Sequence, residues 1–139
     1  MPNKKQILFF WADTLINDYG KYRMDVVHDY DHLHEATETC MACGTRGITE
    51  RAHIIPSVNG GSNELKNLHL LCRECHLESE HFDTNELYFE WFKYKNELPS
   101  GSHIRQLNTA MFFAKMVEEN KKHLLPERIV NILPYESNT

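Results

Sequence analysis

Apolar residues recur at helical spacing towards both ends of the chain and lose that spacing in the middle. From Lys4 to Tyr19, Ile7, Phe10, Trp11, Leu15 and Ile16 make one stripe, which predicts a helix closed by Gly20. Tyr22–Val27 predicts a second short element, and a polar run follows at His28–Glu35. In the centre, Gly47–Glu50 and His53–Val58 predict two short strands, with Pro56 and the Gly60-Gly61 pair marking where regular pairing ends. Asn63–Leu71 predicts a loop pinned to the core by Leu65, Leu68, Leu70 and Leu71, and Arg73–Phe82 predicts a helix. Helical spacing then returns. Thr84 is placed to cap Asn85–Leu98, whose buried side is Leu87, Tyr88, Trp91, Phe92 and Leu98, and Pro99 forces a stop. After the linker Ser100-Gly101-Ser102, with Ser102 placed as a cap, His103–His123 carries Ile104, Leu107, Met111, Ala114 and Val117 at helical spacing. A last turn, Glu127–Leu133, precedes Pro134.

Composition changes this picture little. A chain of 139 residues, 41% hydrophobic and 25% charged, is expected to form one domain, residues 1–139, around one modest core. Within it, 1–39 is an N-terminal helical segment, 40–83 the central piece and 84–139 the C-terminal helices. No apolar run reaches membrane-spanning length. Ile7–Ala12 imitates the apolar part of a signal peptide, but Asp13 interrupts it, which predicts a cytoplasmic protein. The net charge of −5 excludes a globally basic nucleic-acid binder. A nucleic-acid partner would need a local patch, for which Arg46, Arg51, Lys66 and Arg73 are the candidates, or a bound metal supplying positive charge. Counted alone, those four read as solvated surface.

The cysteines carry the strongest signal. Cys40 and Cys43 form one CxxC pair and Cys72 and Cys75 another, with 28 residues between them. Two intervening residues let both sulfurs of a pair face one tetrahedral ion from a tight turn, so the four read as a structural Zn²⁺ site ahead of disulfides or core thiols. His28 and His32 would share a face of a helix, as metal ligands can, but a polar solvated segment is the favoured reading. His53, Asn67 and His76 would each, taken singly, be ordinary residues. Their order between and after the CxxC pairs gives them meaning.

That order is Cys-x-x-Cys at 40–43, His-Ile-x-Pro at 53–56, Gly60-Gly61, Asn-Leu-x-x-Leu at 67–71, and Cys-x-x-Cys-His at 72–76. The segment Cys40–His76 resembles the HNH endonuclease family, and the match covers roughly the middle third of the chain. The resemblance implies an α+β, mostly helical protein whose ββα-metal (HNH) core holds structural zinc between N- and C-terminal helices. It also implies hydrolysis of DNA phosphodiester bonds to 5′-phosphate and 3′-hydroxyl ends. In that chemistry His53 is the general base acting on water, since imidazole accepts a proton near neutral pH. His76 is a ligand of a catalytic divalent ion (Mg²⁺, Mn²⁺ or another), which stabilises the leaving oxygen. Asn67 acts indirectly, its amide bonding backbone near His53.

One departure bears on the metal. Family members often place Asp or His just before the base, where this chain has Ala52, which ligates nothing. Others take a ligand one turn beyond the CxxC-His position, which here is Glu80, with His81 adjacent. His76 and Glu80 are therefore the expected metal pair, and Glu50 is a weaker candidate. The alternative is a catalytically inactive zinc-binding module that grips nucleic acid or protein on the same scaffold. The acidic balance favours a protein partner, and the flanking helices offer contacts for a homodimer.

Overall fold

The computed structural model describes residues 1–14, 37–82, 84–98 and 105–127. The chain divides into two compact units, Met1–His103 and Ile104–Thr139. In the first, helix α1 spans Lys4–Thr14, strand β1 Glu50–His53, strand β2 Leu68–Leu71, helix α2 Arg73–Ser79 and helix α3 Asn85–Glu97. In the second, helix α4 spans Arg105–Glu118 and a 3₁₀ turn spans Lys122–Leu124. The architecture is α+β and mostly helical, with one small antiparallel sheet. No helix of the described residues is long and apolar enough to cross a membrane. The expected end of the first helix, the element Tyr22–Val27, the run His28–Glu35, the linker at 100–102 and the turn beyond Glu127 lie outside the described residues.

Helix α1 starts on a reciprocal cap. Gln6 N–H donates to Asn3 Oδ1 at 2.9 Å, and Asn3 N–H donates to Gln6 Oε1 at 2.9 Å, so two donors that the first turn would leave orphaned are satisfied. The helix buries Ile7, Leu8 and Trp11. Trp11 fixes its position on the sheet, donating from Nε1 to the carbonyl of Leu68 at 2.6 Å.

The sheet differs from its expected form. Its strands are Glu50–His53 and Leu68–Leu71, paired Glu50 to Leu71, Arg51 to Leu70, Ala52 to His69 and His53 to Leu68. His53–Val58 is not a strand. Pairing persists through Ile54, whose N–H donates to Asn67 O at 2.8 Å. Pro56 then introduces a 3₁₀ turn at Ser57–Asn59, which Gly60 closes with φ 89°. The expected loop at 68–71 is the second strand instead. All four of its residues are buried, so neither face shows the polar alternation that marks a half-exposed strand.

Two helix ends also differ. α2 stops at Ser79 rather than Phe82. Ser79 Oγ donates back to His76 O at 2.8 Å, and the next turns tighten to Glu78 O and Ser79 O. α4 stops at Glu118 rather than His123. Asn120 takes a left-handed conformation, φ 59°, and Lys121 N–H reaches back to Met116 O at 2.7 Å, which closes the helix as a Schellman turn.

The core of the first unit lies where α1, β2 and α3 meet. Tyr88, Trp91 and Phe92 of α3, together with Phe82, are fully buried. Removing a large aromatic of this kind costs about 3–5 kcal/mol. α3 begins as expected, with Leu87 N–H donating to Thr84 Oγ1 at 3.3 Å. It also holds polar groups inside. Trp91 Nε1 donates to Glu78 Oε1 at 2.8 Å, Lys95 Nζ lies 3.5 Å from Glu78 Oε2, and Asn96 Nδ2 donates to Met41 O at 3.3 Å. α3 therefore grips both α2 and the first cysteine turn.

Candidate metal centre and catalytic cleft

The first cysteine turn is tied to β2 by its backbone, with Met41 N–H donating to Leu70 O at 2.8 Å. The second is the N-terminus of α2, where Cys72 caps the helix and its sulfur accepts from Cys75 N–H at 3.5 Å. Cys43 N–H makes the equivalent bond to Cys40 Sγ at 3.5 Å. These bonds aim each pair of sulfurs inward. All four cysteines are buried, and their sulfurs lie within 4.8 Å of one another, with Cys43 and Cys72 3.8 Å apart. A tetrahedron of zinc–sulfur bonds of about 2.3 Å has edges of about 3.8 Å, the separation of Cys43 and Cys72, so the cage suits zinc in donor type and this edge in length.

The electrostatics agree. Burial pushes the Cys40 thiol well above its ordinary range, and the neighbouring thiols push Cys75 up, Cys40 most strongly. The same contacts, again led by Cys40, push Cys43 and Cys72 down. Buried sulfurs this close can all become thiolates when a cation neutralises them. The structure thus positions four cysteines to bind a metal ion, and the donor set suits Zn²⁺.

Beside this cage is a cleft of about 150 Å³ lined by His53, Pro56, Ser57, His76, Ser79 and Glu80. β1 delivers His53 at its end, and α2 delivers His76 directly after the zinc-cage residue Cys75. Glu80 caps the end of α2. Three of the sequence-predicted site residues thus share one cavity. His81 is exposed, its ring 6.4 Å from that of Phe82. Ala52 has no exposed surface and faces His69 across the sheet.

Asn67 closes the loop that carries the cleft's far wall. It is 8% exposed; its Oδ1 accepts from Ile55 N–H at 2.8 Å, while Nδ2 donates to Ile55 O at 3.0 Å and Ser62 O at 2.8 Å. Its amide touches backbone and not the His53 ring. Asn63 touches that ring, with its Oδ1 2.7 Å from His53 Nε2. The sequence reading missed Asn63, because nothing in the local pattern separates it from any other polar loop residue.

His76 also has a partner. Glu50 Oε1 lies 2.7 Å from His76 Nδ1, and Glu50 Oε2 accepts from Arg73 Nη1 at 3.2 Å. The His76 bond, followed by Arg73, holds the Glu50 carboxyl below the usual carboxylate range. A carboxylate only accepts, so Nδ1 is the donor here, and in the neutral ring the lone pair is on Nε2. Glu50 orients a histidine, as carboxylates commonly do behind metal ligands.

The four basic candidates are engaged individually. Arg51 donates to Pro2 O at 3.0 Å, Lys66 pairs with Glu64 at 3.4 Å, Arg73 with Glu50, and Arg46 bridges to Thr39 through backbone. The sheet's other histidine, His69, belongs to the core. Its ring stacks on Phe92, Nδ1 lies 2.7 Å from Tyr88 Oη, and burial pushes its pKa down to about 3.

Two antiparallel strands, a helix and, beside an imidazole-lined cleft, a four-cysteine cage able to hold a metal ion make up a ββα module. Residues 40–82, 43 of the chain's 139, match the HNH endonuclease family model. No curated protein and no solved structure matches the chain.

Whether the cleft also suits a catalytic ion can be tested on its donors. Among the described residues, the four cysteines are the one group of three or more whose ligand atoms lie within 4.8 Å of each other. His76 and Glu80 offer one nitrogen and one carboxylate. That fits an ion such as Mg²⁺ or Mn²⁺, which takes one or two protein ligands and fills its shell with water and substrate phosphate oxygens.

Proposed function

We propose that the protein is a metal-dependent HNH endonuclease that hydrolyses phosphodiester bonds in DNA. The observation that carries this reading is the meeting of His53, His76 and Glu80 in one cleft within the family segment. His53 takes a proton from a water lying in the cleft, and the resulting hydroxide attacks phosphorus. The new O–P bond forms as the P–O3′ bond breaks, leaving a 5′-phosphate and a 3′ oxygen that is then protonated. His76 and Glu80 would hold the divalent ion, whose chemistry there would be to neutralise charge on the phosphate and the departing oxygen. Glu50 holds His76 Nδ1–H, so that in the neutral ring the lone pair is on Nε2. Asn67 ties Ile55 to Ser62 and so closes the loop that carries Pro56 and Ser57 of the cleft wall. The four cysteines act as scaffold.

A second reading, a zinc-binding interaction module without catalysis, is favoured by one observation: among the described residues no set of three ligand atoms gathers in the cleft, Ala52 being buried and apolar. Incubating supercoiled plasmid with the zinc-loaded protein and Mg²⁺, Mn²⁺ or Ni²⁺, beside His53→Ala, separates the two. The nuclease reading expects nicking by the wild type, stopped by chelator and absent in the variant. Intact plasmid with every ion, in a protein that still holds zinc and shifts DNA in a gel, would establish the module instead.

A further inference from the structure

The Gly60–Asn67 loop is built to hold one side chain against His53. Asn59, Gly60 and Gly61 N–H groups donate to Pro56 O, Ser57 O and Pro56 O at 2.9, 3.0 and 3.0 Å, which turns the chain back on itself. Gly61 then packs directly on the strand end. A Cβ added there would lie 1.7 Å from Ile55 O and 2.9 Å from Asn67 Nδ2, so no other residue allows the approach. Asn67 ties Ser62 to Ile55 from behind, and Glu64 N–H donates to Ser62 Oγ at 3.3 Å. Asn63 projects from this fixed turn, and its Oδ1 meets His53 Nε2 at 2.7 Å.

We propose that Asn63 is a positioning residue that sets the tautomer of His53: its carboxamide oxygen accepts Nε2–H and leaves Nδ1 as the nitrogen that receives the proton from water. This deepens the nuclease reading above and rests on it for the role of His53. A neutral imidazole has one donor and one acceptor nitrogen, so engaging Nε2 as donor decides the other. The opposite orientation of the amide would spend the Nε2 lone pair on Asn63 and place a proton on Nδ1, leaving the ring no free base. During the reaction water loses its proton to Nδ1. The imidazolium keeps its Nε2–H bond to Asn63 while the hydroxide oxygen bonds to phosphorus and the 3′ oxygen departs with the P–O electron pair.

Asn63→Ala and Asn63→Asp in the full, zinc-loaded chain test this, read by long-range ¹H–¹⁵N spectra of the His53 ring, assigned against His53→Ala, and by pH–rate profiles of plasmid nicking. The charged and titratable groups on the surrounding elements include Glu50 and Arg51 on β1, Arg73, His76 and Glu80 on α2 and at its end, and the Glu64–Lys66 pair in the loop. They are the same in all variants. The wild type is expected to show a protonated Nε2 and a bare Nδ1. Asn63→Ala is expected to mix the tautomers and lower kcat about 10- to 100-fold with little change in KM. Asn63→Asp should keep the wild-type tautomer and move the acid limb of the profile up by about one unit, because the carboxylate stabilises the imidazolium. A wild-type ring with its lone pair on Nε2, or an Asn63→Ala ring and kcat indistinguishable from wild type, overturns the proposal. If the wild type does not nick DNA, the nuclease reading fails while the ring spectra still decide whether Asn63 sets the tautomer.

Discussion

The cysteine cage and the imidazole cleft share residues 72–80 yet are built in opposite ways. In the cage every ligand is buried and the sulfurs are drawn within 4.8 Å of one another. In the cleft the two histidines are half-buried, and each ring is held by one polar oxygen, Asn63 on His53 and Glu50 on His76. A closed, buried ligand set serves folding, since every donor is satisfied and no position is left for substrate. An open site with second partners behind each ring suits the proposed chemistry, which must admit water and phosphate. Damage to one should therefore abolish the fold, and damage to the other should abolish reaction in a folded protein.

The largest effect is expected at the cage. Cys72→Ser should unfold or aggregate the protein and release its zinc, because metal binding in such sites is itself folding free energy. A soluble Cys72→Ser protein melting at the wild-type temperature would show that the cage is not structural. In the cleft, His53→Ala should lower the cleavage rate about 10²- to 10⁴-fold, as expected for loss of a general base, with an unchanged melting curve. His76→Ala should also remove cleavage while retaining one zinc per chain by metal analysis. Loss of that zinc would move His76 from the cleft to the cage.

How much of this contrast could be read in the sequence depended on how local the cause was. The CxxC turns, the Thr84 cap and the aromatic stripe of α3 are set by spacing over a few residues, and they appear in the structure where the pattern places them. β2 was misread because Leu68, Leu70 and Leu71 flank a fourth buried residue, His69, so the strand lacks alternation. The partners of the two cleft histidines were equally hidden. Asn63 reaches His53 across 10 residues and Glu50 reaches His76 across 26, contacts that exist only once the loop and sheet have closed. The stop of α4 turned on Asn120, a residue that tolerates a left-handed φ without requiring it.

Asn67 lies between the two regimes, and its removal should show both. Asn67→Ala leaves Ile55 N–H without its partner and should cost about 1–3 kcal/mol of stability in denaturant melts, with slower cleavage as the loop loosens. An unchanged melt would mean that water replaces the amide without loss.

The smallest effect concerns the buried third histidine. His69 has its folded pKa lowered to about 3 by burial, against about 6.5 when unfolded. The unfolded chain therefore binds a proton that the folded chain refuses, and stability should fall as pH drops below about 6.5, by up to about 1.4 kcal/mol per unit from this group. Denaturant midpoints between pH 7 and 5.5, where the thiolates remain metal-bound, should show this slope in the wild type and a shallower one in His69→Phe. Equal slopes would place the acid sensitivity elsewhere.

The central claim is that His53 and His76 act on one phosphate in one cleft. Single-turnover cleavage rates of His53→Ala, His76→Ala and the double variant test it most directly. Residues that act as a unit lose nearly everything on the first removal, so the double variant is predicted to cleave no more slowly than the worse single one. Losses that multiply, or a single variant that cleaves at the wild-type rate, would contradict the shared site.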